Sequence, residues 1–200
     1  MKIVYKNIIL RDMRIEDIED DIRWQTSEKE WMLWDEPWAE PDPLEDIEEM
    51  RKSKYAEFLE IEQLKAESSF RWSLEIDYAD GTHIGSLDSY LINSSYQRVR
   101  RQELLAGEEF YYALGIAIYE PAYWSKGLGT QALTAYIKHH FEHQHNPLFL
   151  QSWSGNERML RSAEKLGFKI IERKPEYREV RGKLYDALTL ALEQSDFRAL

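Results

Sequence analysis

Residues 124–130, Trp-Ser-Lys-Gly-Leu-Gly-Thr, are the stretch of this chain best suited to hold a negatively charged ligand. A Lys-Gly-x-Gly turn that opens a helix leaves several main-chain N–H groups without an internal acceptor, and the helix dipole gathers partial positive charge at the same end. The two glycines let a ligand approach the backbone, so the segment can cradle a diphosphate with main chain alone. The same pattern also serves as a plain tight connection, and the neighbouring elements decide between the two readings.

Before the loop, residues 111–118 read as a buried strand. After it, Leu128, Ala132, Leu133, Tyr136, Ile137 and Phe141 recur at helical spacing. A second apolar strand, residues 148–153, leads into a helix with Asn156 as N-cap and Gly167 just past its end, and Phe168 starts a further strand. Earlier in the chain, residues 8–13 read as an opening strand and 14–24 as a helix. An aromatic segment at 31–38 follows, then Pro41 and Pro43, with a helix expected over 44–67. Strands at 70–76 and 83–91 are joined by the turn chemistry of residues 77–82, and residues 93–109 read as a loop or short insertion. A closing hairpin flanks Arg181-Gly182-Lys183. No repeat, low-complexity tract or linker divides residues 1–200, so one domain is expected, with 37–69 as a helical insertion on the substrate side.

Composition bounds the partners. With 43% hydrophobic residues over 200 positions, one α/β domain can bury a sizeable core. No apolar run reaches the roughly 20 residues that span a bilayer, and the first residues lack the pattern of a signal peptide. The absence of cysteine excludes disulfides and thiol catalysis, and a cytoplasmic protein is expected. Of the formal charge of −11, residues 1–65 carry −9 and the remainder −2. Such an acidic surface argues against nucleic acid as a partner. It suits either a cationic acceptor or simple solubility.

Strand, Trp-x-Lys-Gly-x-Gly loop, helix, strand, and an Asn-initiated helix ending Glu-Lys-Leu-Gly-Phe: this order resembles the acyl-CoA-binding core of the GNAT superfamily of N-acetyltransferases. Within it, Tyr123-Trp124-x-Lys126-Gly127 and the Asn156–Phe168 segment are most similar to the ribosomal-protein N-terminal acetyltransferases. Aminoglycoside N-acetyltransferases share the Lys-Gly-Leu-Gly-Thr loop. The resemblance implies an α/β (α+β) fold with a central mixed, mostly antiparallel sheet flanked by helices. It also implies acetyl-CoA as co-substrate, bound between splayed middle strands, and transfer of acetyl to a primary amine by direct attack. The acceptor is then a protein N-terminus or a small molecule such as an aminoglycoside or polyamine, and a catalytically degenerate acyl-CoA-binding module is the non-enzymatic alternative. Neither nucleic acid, membrane nor metal is expected, and the protein acts as a monomer or homodimer.

The same resemblance distributes roles. Main-chain groups of Ile116, Ala117 and Ile118 would bind pantetheine and polarise the acetyl carbonyl. Trp124, Ser125, Lys126, Gly127, Leu128, Gly129 and Thr130 would meet the diphosphate. Asn156 would reach the pantetheine arm, serve as an ordinary N-cap, or both. Two departures stand out: the tyrosine that many members use to protonate the leaving thiolate is Ala163 here, and the glutamate often found early in the pre-loop strand is Ala113. That leaves Asp88 as a candidate base, with Tyr111 and Ser152 as further catalytic candidates. Trp31, Trp34 and Tyr90 are candidates for the acceptor pocket. Trp24 and Trp38 join that aromatic group, beside Asp35 and Glu36, although a helix–helix core accounts for it equally. His139 and His143, one helical turn apart, invite a metal. Yet they are expected at an exposed helix end without a third ligand or nearby glutamate.

Overall fold

The computed structural model describes residues 1–38, 46–104 and 107–200. The strands are β1 (Lys2–Tyr5), β2 (Ile8–Arg11), β3 (Ser73–Tyr78), β4 (His83–Asn93), β5 (Arg98–Val99), β6 (Phe110–Ile118), β7 (Leu148–Trp153), β8 (Lys169–Val180) and β9 (Lys183–Leu192). Helical stretches make α1 (Asp17–Thr26), α2 (Ile47–Glu67), α3 (Leu128–His143) and α4 (Glu157–Leu166). The strands form one open sheet in the order β1-β2-β3-β4-β6-β7-β9-β8, with β5 on β4. Every pairing is antiparallel except β6 with β7, so the sheet is mixed and mostly antiparallel, as expected.

Three details depart from the sequence reading, and a fourth expectation falls outside the described residues. The chain opens on a hairpin rather than a single strand, with Lys6 in the left-handed region at its turn. The first helix begins at Asp17, three residues late, because Asp17 turns back to accept from the Arg14 N–H. Residues 93–109 contain the short strand β5, paired with Leu91 and Ile92. The expected helix start at Pro43 and Leu44 lies outside the described residues; α2 is described from Ile47, capped by Asp46.

Side-chain alternation sorts the sheet into two faces. On one, Leu10, Leu74, Leu87, Leu114, Leu150, Leu188 and Leu190 pack against Leu133, Tyr136, Ile137 and Phe141 of α3 and Ala163 and Leu166 of α4. On the other, α1 docks through charge: Arg11 binds Asp17 (2.6 Å) and Asp77 (2.6 Å), and His83 lies 3.0 Å from both Asp20 and Glu75. Helix α2 then packs on α1 through Met50, Phe58 and Ile61 against Met13, Ile18 and Ile22. No described helix is long and apolar enough to cross a membrane.

Candidate active site

The parallel pair is short. β6 and β7 are in register only from Tyr112/Leu148 to Leu114/Leu150. Beyond that point β6 continues to pair with β4 alone and β7 with β9 alone, so the strands part. A cavity of about 400 Å³ lies where they part. It is bordered by Ile116, Ala117 and Ile118, by loop residues Trp124, Ser125, Gly127, Leu128, Gly129 and Thr130, and by Asn156 of the second loop. Those are ten of the eleven residues that sequence reasoning placed around acetyl-CoA. The other, Lys126, lies over the Tyr123 ring, 5.3 Å from its centroid, outside the cavity lining.

Local backbone explains the loop. Ser125 and Gly127 adopt left-handed φ values of 60° and 73°, and Gly127 is the N-cap of α3. No side chain caps this helix, so N–H groups of its first turn have no internal acceptor where Leu128, Gly129 and Thr130 face the cavity. The Trp124 indole donates to the Ile118 carbonyl at 2.6 Å, tying the loop to the end of β6. Asn156 is an N-cap, accepting from Met159 N–H at 3.2 Å, while its amide donates to the Trp34 carbonyl at 3.0 Å. Trp153 donates to that carbonyl too, at 2.8 Å, which holds the Trp31–Trp34 turn over the cavity.

Sequence reasoning missed the basic side of the cavity. Arg158, Arg161 and Lys165 recur at helical spacing on α4, and all three line it. Their spacing was the available signal. The Arg158 guanidinium lies 4.1 Å from the Trp34 ring centroid and 5.3 Å from that of Trp124, a cation between two indoles. The aromatic group divides: Trp24 is 1% exposed and stacked on Tyr119, whereas Trp31 and Trp34 line the cavity with Asp35.

The candidate catalytic residues are not gathered at one point. Asp88 stands opposite Gly115 across the β4–β6 ladder, and a Cβ on Gly115 would come within 2.6 Å of its Oδ1. Burial lifts the Asp88 carboxyl above the ordinary range, partly offset by Arg98. Tyr90 shares this sheet face, donating to Gln151 at 3.2 Å beneath the Arg98 guanidinium. Tyr111 lies toward the opposite end of β6, bonded to Glu109 and packed on Phe149. None of Asp88, Tyr90, Tyr111 and Ser152 is among the residues that border the cavity. Ala163 is buried in the core against α3, and Ala113 beside Ile92 and Phe149.

The histidine run requires correction. His139, expected at an exposed end, is buried like His140, and Glu142 stands with His139 and His143, their ligand atoms within 4.8 Å of one another. His139 stacks on Phe70 and accepts the Arg71 N–H at 3.1 Å.

An open mixed sheet whose parallel pair splays over an uncapped helix N-terminus has the architecture of an acyl-CoA acetyltransferase. Residues 7–169 match the family model described as acetyltransferase (GNAT) domain, and the chain belongs to that family, as a GNAT-type acetyltransferase. Among solved structures, ribosomal-protein-S5-alanine acetyltransferase from Vibrio fischeri is similar, with a TM-score of 0.68 at 14% identity over 99% of each chain. An acetyltransferase from Salmonella typhimurium that modifies the N-terminal serine of a 50S ribosomal subunit protein gives 0.62 at 13% identity, over 96% of this chain and 99% of that one. The microcin C7 self-immunity acetyltransferase, solved with acetyl-CoA and AMP, gives 0.64 at 13% identity, over 94% and 92%.

Proposed function

We propose that the protein transfers acetyl from acetyl-CoA to a primary amine by direct attack within a ternary complex, with a protein N-terminus as acceptor. The observation that carries this reading is the parting of β6 from β7 over the α3 N-terminus. It leaves main chain of Ile116, Ala117 and Ile118 beside a cavity that ends on unpaired N–H groups. A pantetheine arm fits beside such a strand, the diphosphate fits the loop, and Arg158, Arg161 and Lys165 supply counter-charge for phosphate. Similarity to an enzyme that modifies the N-terminal serine of a 50S ribosomal subunit protein, and to a ribosomal-protein-S5-alanine acetyltransferase, supports the acceptor. A small cationic amine is the second reading. It is favoured by the carboxylates of Asp35, Asp88 and Glu57, which act on one another's charge around the sheet face next to the cavity. Asp88, the candidate base of the sequence reading, adds negative charge that acts on the cavity-lining Asp35 in either case. A cytoplasmic setting suits both acceptors.

Acetyl-CoA binding followed by calorimetry tests this directly. Gly129→Glu has room for its side chain, since the nearest atom to a new Cβ is Ile118 Cγ1 at 3.9 Å. A carboxylate in a helix's first turn also favours folding. The variant is expected to stay folded and lose affinity by roughly 100-fold, about 2.7 kcal/mol. Unchanged affinity refutes the loop as the diphosphate site.

A further inference from the structure

We infer that Asp35 is the general base of this reaction, taking the proton of a cationic amine that enters between Asp35 and Asp88. This rests on the acetyl-transfer reading above and adds to it a residue and a charge state for the acceptor. Asp35 follows the short helical turn Glu30–Leu33, and among the described residues that line the cavity it is the one carboxylate. It is held there indirectly but firmly: the preceding carbonyl, that of Trp34, accepts from both Trp153 and Asn156. Asp35 thereby stands over the same cavity as Ile116, Ala117 and Ile118, the strand that would present the thioester.

Its surroundings suit proton transfer. The side chain is open to solvent, as an entering amine requires. Even so, the packed protein around it, then Glu36, then Asp88, push its carboxyl up to about 6. A base poised near neutral pH is more effective than an ordinary carboxylate. The charged and titratable groups that face this space come from every adjoining element. Glu36 lies on the same turn, Asp88 and Tyr90 on β4, Arg98 on β5 and Tyr119 after β6, while Glu57 of α2 acts on Asp88. Arg158 of α4 also reaches this cavity, over the Trp34 ring, but the charges that act on Asp35 itself are those of Glu36 and Asp88, so a positively charged amine is the favoured guest.

The chemistry balances with acetyl-CoA as the only co-substrate. The ammonium gives one proton to Asp35, and the free amine nitrogen bonds to the thioester carbonyl carbon. The C–S bond breaks, sulfur leaves with the electron pair, and the second nitrogen proton neutralises it. The products are the acetamide, CoA thiol and a proton released from Asp35 to water.

The test uses the full chain with acetyl-CoA and two amines, a short peptide with a free N-terminal alanine and spermidine, reading CoA release against pH. For wild type, kcat/KM should rise with pH through a midpoint near 6. Asp35→Asn should lower kcat on the order of 100-fold and abolish that limb, without weakening acetyl-CoA binding measured by calorimetry. Asp35→Glu should restore part of the rate. Asp88→Asn should retain the limb but move it to lower pH, because a charge opposing ionisation is gone. Full turnover in Asp35→Asn, or a limb that survives it, overturns the assignment and leaves acetyl transfer standing. Acetyl-CoA binding by wild type with neither amine acetylated refutes the cationic-amine assignment, and absence of acetyl-CoA binding refutes the parent reading.

Discussion

Gly115 shows how one absent methyl group can shape a site. The space its side chain would fill is taken by the Asp88 carboxylate, which is how a β4 acid comes to lie over β6. Gly115→Ala should therefore cost little stability, within about 1 kcal/mol, since a short exposed side chain can move aside. Displacing Asp88 should nonetheless slow acetyl transfer, a split visible by comparing urea denaturation with turnover. Asn156 predicts the opposite balance. Its side chain caps α4 and holds the Trp34 carbonyl, so Asn156→Ala should destabilise by about 1–2 kcal/mol and also loosen the turn that carries Asp35. Chemical denaturation measures the first effect and the pH–rate profile the second. The sequence made the capping role of Asn156 plain, because an Asn before Glu-Arg-Met at a helix start has a local signature. Its tether to residue 34 had none, since the two positions meet only through the fold.

Among the elements, the loop and its flanking strand and helix were legible because each carries its own periodicity, and β7 appears at the residues expected, Leu148–Trp153. Helix α4 was legible as a helix but not as a cavity wall. Arg158, Arg161 and Lys165 share one side of it, yet only its packing beside the α3 N-terminus gives that side a purpose. β1 and β5 escaped notice for a simpler reason: four and two residues are too few to display alternation. The docking of α1 was equally hidden, since apolar patterning says nothing about a buried guanidinium. Arg11 is 4% exposed and held between Asp17 and Asp77. Arg11→Met should destabilise by roughly 3–5 kcal/mol, because two buried carboxylates lose their counter-charge. Thermal or urea unfolding checks this, and a change below about 1 kcal/mol contradicts it.

At the scale of the molecule, buried histidines set opposing slopes of stability against pH. Burial alone would lower the pKa of His83, but Glu75, Asp17 and Asp20 overcome it and push the ring up to about 9. That raised value stabilises the fold below the unfolded value of about 6.5 and is lost as pH climbs through 9. His139 and His140 are driven by burial to about 4, so they stay neutral in the fold and penalise it as pH falls from about 6.5 toward 4. From these three residues, melting temperature should peak near pH 6.5, and His83→Gln should flatten the alkaline side while leaving the acid side intact. The sheet itself has a mechanical consequence. In backbone hydrogen bonds it is two plates, β1 to β6 and β7 to β9, joined along a seam of only three residue pairs. A ligand lodged where the seam ends touches both plates, so it acts as a strut between them. Amides of Gly115 through Ile118 should then exchange with solvent more slowly once acetyl-CoA is bound, a stiffening readable by hydrogen–deuterium exchange before any acceptor is known.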